Sequence, residues 1–309
     1  MMEKPYYQMS YPLQFLLMIL LAVGGLILGG LICGIFIVIL YGPSGFSSML
    51  MMSDNMPASA LNSLKIMQMG SSVFGFLIPA IFFAKIIVRQ PVPYLKANWR
   101  FPLILLLVVF FIMLISSPLM EMLITFNQKM VLPHALKGLE KWMRDAEDNA
   151  GKQTEILLQM KTPAAFLLNL LMIAILPGVS EEFIFRGCFL QIFTGWTKNL
   201  HWGVWLSAAL FSFIHFQFFG FLPRMLLGVF FGYFAAWSGS IWPGVLGHFL
   251  NNGTAVLITY LYQNKLIKVN PDEQQLFDWK SYTFSVILTV ILFLAYKKLS
   301  ESKRELLAA

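Results

Sequence analysis

The run LLMILLAVGGLILGGLICGIFIVIL, residues 16–40, contains no charged side chain. At about 1.5 Å of rise per residue, a helix of this length crosses a hydrocarbon core roughly 30 Å thick. The apolar stretch from Leu13 to Leu40 is too long for a signal-peptide core, and no small-residue cleavage site follows it. It reads as a retained membrane span. Seven further apolar segments follow, at about 64–88, 101–126, 163–189, 202–219, 221–239, 241–262 and 280–297. The bulk composition agrees: 58% of the 309 residues are hydrophobic, 12% are charged, and the mean hydropathy is +0.71. Soluble domains carry about 25% charged residues. The expected fold is therefore all-α, a polytopic transmembrane helical bundle of about eight spans.

Prolines interrupt or bound three of these segments, at Pro177-Gly178, Pro223 and Pro243-Gly244. A proline removes a helical hydrogen bond, and in lipid the freed carbonyl needs another partner. Such breaks mark polar interiors, and the one at Pro177 directly precedes two glutamates.

Basic residues suggest an orientation. Lys85, Arg89, Lys96 and Arg100 follow the second span, Lys297, Lys298, Lys303 and Arg304 lie in the tail, and residues 42–63 hold only Lys-free and Arg-free sequence. The positive-inside rule then puts both termini in the cytoplasm, in a protein of the plasma membrane. The segment 127–162 mixes lysines with Glu140, Asp145, Glu147, Asp148 and Glu155, as an amphipathic helix lying on the surface would. These features divide the chain into an apolar N-terminal region (1–126), an amphipathic linker (127–162), a chemically equipped core (163–262), and a loop, last span and basic tail (263–309). The net charge of +7 calls for no nucleic-acid partner, because anionic lipid attracts basic span flanks. Neither a P-loop, a dinucleotide-binding glycine fingerprint nor an HExxH motif is present. Cys33 and Cys188 read as buried small hydrophobes.

Within the core, Glu181 and Glu182 stand at membrane depth, where a carboxylate costs roughly 3 kcal/mol or more unless paired or wetted. Glu182 and Arg186 are four apart and share a helix face, so they form a buried ion pair. Glu181 points about 100° away and stays available. The second motif is Phe211-Ser212-Phe213-Ile214-His215. The third is His248-Phe249-Leu250-Asn251-Asn252, in which His248 and Asn252 share a face and Asn251 serves as an interhelical partner. Singly, each motif is also what ordinary salt-bridging and helix packing would leave. Jointly, they supply a carboxylate, two imidazoles and an amide, the parts of a water-activating hydrolase. Glu181 and His215 hold and deprotonate water, and His248 and Asn252 receive the oxyanion. The same residues also suit a zinc site with Glu181, His215 and His248 as ligands and water in the fourth position.

In order and spacing, Glu181-Glu182-x-x-x-Arg186, Phe211-x-x-x-His215 and His248-x-x-x-Asn252 resemble the CAAX-protease and bacteriocin-processing (CPBP, or Abi) family. The resemblance spans about 163–262. It implies an intramembrane endopeptidase with a four-helix catalytic core, acting on a membrane-associated protein or peptide such as a prenylated CAAX terminus. It also implies that the first glutamate, Glu181, is catalytic, with Glu182 and Arg186 in support. Between the two chemistries, a metal-independent water is favoured, because zinc would take Glu181 away from its work as a base. The competing functions are a non-enzymatic immunity or scaffold protein, in which this cluster binds a partner, and a proton-coupled transporter.

Overall fold

The computed structural model describes residues 9–51, 56–268, 270 and 276–308 of the chain, with side chains to residue 301. The tail residues Lys303 and Arg304 therefore lie outside the described side chains. Secondary structure among the described residues is helical throughout. Ten helices carry the architecture: α1 (Tyr11–Leu50), α2 (Ala58–Ile87), α3 (Ile104–Ile115), α4 (Ser117–Gln128), α5 (Lys137–Leu157), α6 (Pro163–Thr197), α7 (Leu200–Phe213), α8 (Phe221–Ser238), α9 (Trp242–Gln263) and α10 (Trp279–Ala308).

Each expected span corresponds to a helix or, for 101–126, to the α3–α4 pair bent by 45°. Five helices among the described residues are long and apolar enough to cross a membrane, or six if the bent pair counts as one span. The remaining two are α7 and α9. α7 has only 14 residues and α9 is diluted by its polar side chains, so the two helices that are too short or too polar are those carrying the histidine motifs. With their large exposed apolar faces, the helices make this an integral membrane protein. On α1 the exposed stripe runs through Ile27, Leu31, Ile35 and Ile39, and Met18, Ala22, Cys33 and Ile37 are buried on the other side. Cys33 and Cys188 are free and buried.

Local signals fix the helix ends. The Thr162 hydroxyl accepts from Ala165 N–H, and Pro163 occupies the first turn of α6, where its missing N–H costs nothing. At the far end Lys198 adopts a left-handed conformation, and the Asn199 side chain caps α7 by accepting from His201 and Trp202 N–H. Gly239, at φ 73°, ends α8. Pro177 departs from the expected break: α6 runs through it. A π-helical turn over Leu170–Ile175 absorbs the irregularity, and a second over Phe185–Phe189 follows the glutamates.

α6 to α9 form a central group of four helices. One side packs on α1 and α2 through Met18, Ala80, Phe83, Phe185 and Phe211. The other side packs on α3, α4 and α10 through Val109, Phe231, Phe234 and Tyr296. The core thus crosses the division expected between 1–126 and 163–262. With no water to exclude between spans, this cohesion comes from close packing and interhelical hydrogen bonds. The α8–α9 turn is tied to the loop before α3, with Ile241 N–H donating to Lys96 C=O at 3.1 Å and the Asn98 amide to Gly239 C=O at 3.1 Å. Glu121 accepts from Leu276 and Phe277 N–H and from the Tyr282 hydroxyl, anchoring the approach to α10.

Candidate active site

The two adjacent glutamates have opposite surroundings. Glu182 is fully buried, and its Oε1 accepts from Arg186 Nη1 at 2.8 Å and from His248 Nδ1 at 3.0 Å. The arginine is the partner expected from helical spacing; the histidine comes from α9. Arg186 uses Nη2 on Gly228 C=O at 2.9 Å, and its guanidinium lies 4.9 Å from the Phe211 ring centroid and 5.3 Å from that of Phe231. Charge, hydrogen bonds and aromatic faces thus compensate the ion pair for lost water. α9 approaches this cluster closely because residue 244 is glycine: a Cβ there would fall 2.9 Å from Glu182 Oε2 and 3.2 Å from Phe231 O.

Glu181 faces the other way. Its nearest ionic neighbour is His248, with Oε2 at 3.8 Å from Nε2, beyond hydrogen-bond length. Its side chain borders a cavity of about 540 Å³. His215, His248, Asn251, Asn252 and Arg224 line the same cavity, which therefore collects every site residue expected from the motifs except the supporting pair Glu182 and Arg186.

His215 follows the end of α7 and sits in a turn, not on the helix. Its Nδ1 donates to Phe211 C=O at 2.7 Å. A carbonyl only accepts, so the neutral ring keeps its lone pair on Nε2. This explains the Phe211-x-x-x-His215 spacing: the carbonyl four residues back sets the tautomer, and the Phe211 ring stands edge-on to both His215 and His248. His248 is stacked on Phe231 with centroids 5.1 Å apart and the planes at 16°. Because Nδ1 is bound to Glu182, Nε2 is the atom that faces Glu181.

Both asparagines border the cavity, and Asn252 also bonds across to α6. Asn252 Nδ2 donates to Ile173 C=O at 2.9 Å. Ile173 lies four residues before Pro177, so its carbonyl is the one an ordinary α-helix would have paired with the absent proline N–H. Asn252 is thus the interhelical partner that makes the proline tolerable at this depth. Asn251, read as pointing elsewhere, donates to Asn252 Oδ1 at 3.0 Å and borders the cavity as well.

Arg224 and Gln217 also line the cavity, and the motif reading passed over both. Arg224 had a usable signal, being an arginine inside the 221–239 span. α5 lies across one side of the cavity through Ala150, Gln153 and Thr154. There Glu147 accepts from Phe219 N–H at 3.0 Å. Burial pushes its carboxyl above the usual range, partly offset by that hydrogen bond and by the charge of Arg224.

Among the described residues, no three His, Cys, Asp or Glu side chains converge as a metal-binding group. His248 Nδ1 is engaged by Glu182, which leaves Nε2 as its available ring nitrogen.

Residues 163–254 match the family model described as Rce1-like, type II CAAX prenyl endopeptidase. The match runs from the start of α6 into α9 and takes in all three motifs. It identifies this segment as a domain of the CAAX-protease family. No curated protein and no solved structure matches the chain.

Proposed function

We propose that the protein is an intramembrane endopeptidase that hydrolyses a peptide bond of a membrane-associated, CAAX-type substrate with water activated by Glu181 and His215. The observation that carries this reading is the contrast between the glutamates. Glu182 is fully buried and held by Arg186 and His248 through Oε1, whereas Glu181 keeps an unspent carboxylate at a cavity it shares with His215. Water between Glu181 and His215 gives a proton to the carboxylate as its oxygen adds to the scissile carbonyl carbon. His248 Nε2, when it carries a proton, donates to the resulting oxyanion, and the asparagine pair supplies further polarity. Glu181 then returns the proton to the leaving amine as the carbon–nitrogen bond breaks. Glu182 positions His248, in the way that a buried carboxylate orients an imidazole in other hydrolases. No step requires a metal.

The test is cleavage of farnesylated CAAX peptides by the full-length protein in detergent, with wild type, Glu181→Gln and chelator-treated samples run side by side. Expected are cleavage by wild type, none by Glu181→Gln, and full activity in chelator. Loss of activity in chelator, restored by zinc, would overturn the metal-independent mechanism. A wild-type protein that binds the peptides without cleaving them would instead favour a binding role for the same cluster.

A further inference from the structure

The mechanism leaves Arg224 unused, and its surroundings differ from those of Arg186. It occupies the first turn of α8, is half-buried, and lines the cavity that holds Glu181. Among the described residues its hydrogen bonds both go to one residue: Nη1 donates to Gln217 C=O at 3.3 Å and Nη2 to Gln217 Oε1 at 2.7 Å. A guanidinium has five N–H donors, so others are left over. Among the described residues no carboxylate oxygen lies within 4.0 Å of it, whereas Arg186 has Glu182 at 2.8 Å and Arg144 has Glu140 at 2.7 Å.

The carboxylates that act on Arg224 from a distance are Glu147 and Glu181. Glu147 is held back by its bond to Phe219 N–H, and Gly220 leaves the space between them open. A Cβ at 220 would lie 3.4 Å from Arg224 Nη2 and 3.6 Å from Glu147 Oε1. Glu181 borders the same cavity, with His248 as its nearest ionic neighbour and no ion pair to Arg224 within 4.0 Å. A charged guanidinium at this depth, with neutral hydrogen-bond partners and spare donors, is most fully satisfied by a carboxylate arriving with a ligand, which its planar fork binds through two parallel hydrogen bonds.

We propose that Arg224, oriented by Gln217, is a carboxylate-anchoring subsite, and that it selects peptides whose C-terminal carboxylate is free. The proposal rests on the hydrolase reading of the same cavity and adds the group that sets where along the peptide the substrate is held. Arg224 is a positioning and specificity residue. It does not touch the reacting atoms.

The test measures binding apart from cleavage. In full-length Glu181→Gln protein in detergent, affinity is measured by fluorescence anisotropy for a labelled farnesylated CAAX peptide as the free acid, as the C-terminal amide, and as the amide carrying an added Glu. The measurement is repeated with Arg224→Gln and Arg224→Lys in the same background, with melting temperatures recorded to confirm folding. The expected result is at least tenfold weaker binding of the amide than of the acid, no acid–amide difference in Arg224→Gln, and a partial difference in Arg224→Lys. In the Glu181-intact protein, Arg224→Gln should raise KM for the acid much more than it lowers kcat. Rescue of amide binding by the added Glu, lost in Arg224→Gln, would support the subsite by showing that a carboxylate is the group Arg224 binds. Equal binding of acid and amide, or discrimination that survives in folded Arg224→Gln and Arg224→Lys, would overturn it. Cleavage by Glu181-intact protein without acid–amide discrimination defeats the subsite alone. Arg224-dependent discrimination without cleavage defeats the hydrolase reading alone.

Discussion

Two polar clusters lie next to each other in the membrane-depth core, and they meet the cost of buried charge in opposite ways. In the Glu182 cluster, Arg186, His248, the Gly228 carbonyl and the Phe211 and Phe231 rings close around Glu182 Oε1 and its counter-ion, away from solvent. In the cavity cluster, Glu181 and Arg224 keep hydrogen-bonding capacity in reserve and face open space. The closed cluster resembles a structural staple. The open one has the incomplete coordination that a substrate, and not the fold, completes. Adjacent identical residues on α6 thus serve stability and chemistry separately, because the rotation of about 100° per residue sends one toward the Arg186–His248 cluster and the other toward the cavity.

The sharpest way to break this comparison is to neutralise each glutamate in turn. Glu181→Gln should lower kcat about 10³-fold or more, as expected for removing a general base, with an unchanged melting profile in detergent. Glu182→Gln should act on the fold instead, costing about 3–5 kcal/mol by leaving Arg186 buried with no charged partner. Thermal melting and detergent-extracted yield report it. A well-folded but inactive Glu182→Gln beside an active Glu181→Gln would exchange the two roles.

Smaller perturbations sharpen the boundary between the clusters. Gly244→Ala forces a Cβ against Glu182 Oε2 and the Phe231 carbonyl, an overpacking expected to cost about 1–3 kcal/mol, seen as a lower melting temperature. Asn252→Ala should remove about 1 kcal/mol by orphaning the Ile173 carbonyl. Combining it with Pro177→Ala, which restores a backbone N–H for that carbonyl, should recover part of the loss, and a double-mutant cycle on melting free energies measures the coupling.

The smallest effect is expected on α5. The Glu147 carboxyl is raised in the folded protein, so the unfolded chain loses its proton first as the pH rises. Its contribution to stability is therefore fully present below the ordinary glutamate pKa and falls as the pH climbs through the raised folded value. Glu147→Gln should flatten that part of the melting-temperature profile, by about 0.5 kcal/mol or less given its partial exposure to solvent. A profile unchanged by the substitution would remove Glu147 from the pH response.

The sequence made the membrane class and the helical fold legible, because hydrocarbon permits few solutions for a buried backbone and long apolar runs report them directly. It also disclosed the Glu182–Arg186 pair, since four-residue spacing on a helix is a local property. The part of the site beyond its reach depends on the rotation of α9 against α6. That rotation brings His248 Nδ1 onto Glu182 and gives Asn252 to the carbonyl stranded by Pro177, with Asn251 and Asn252 both at the cavity. Arg224 was visible as a charge in a span, yet only the folding of α8 beside α6 and α9 puts it in the same cavity as Glu181. Helix periodicity fixes which residues share a face. Which face meets which is decided by packing across the whole bundle, where contacts such as His248 to Glu182 join residues 66 positions apart.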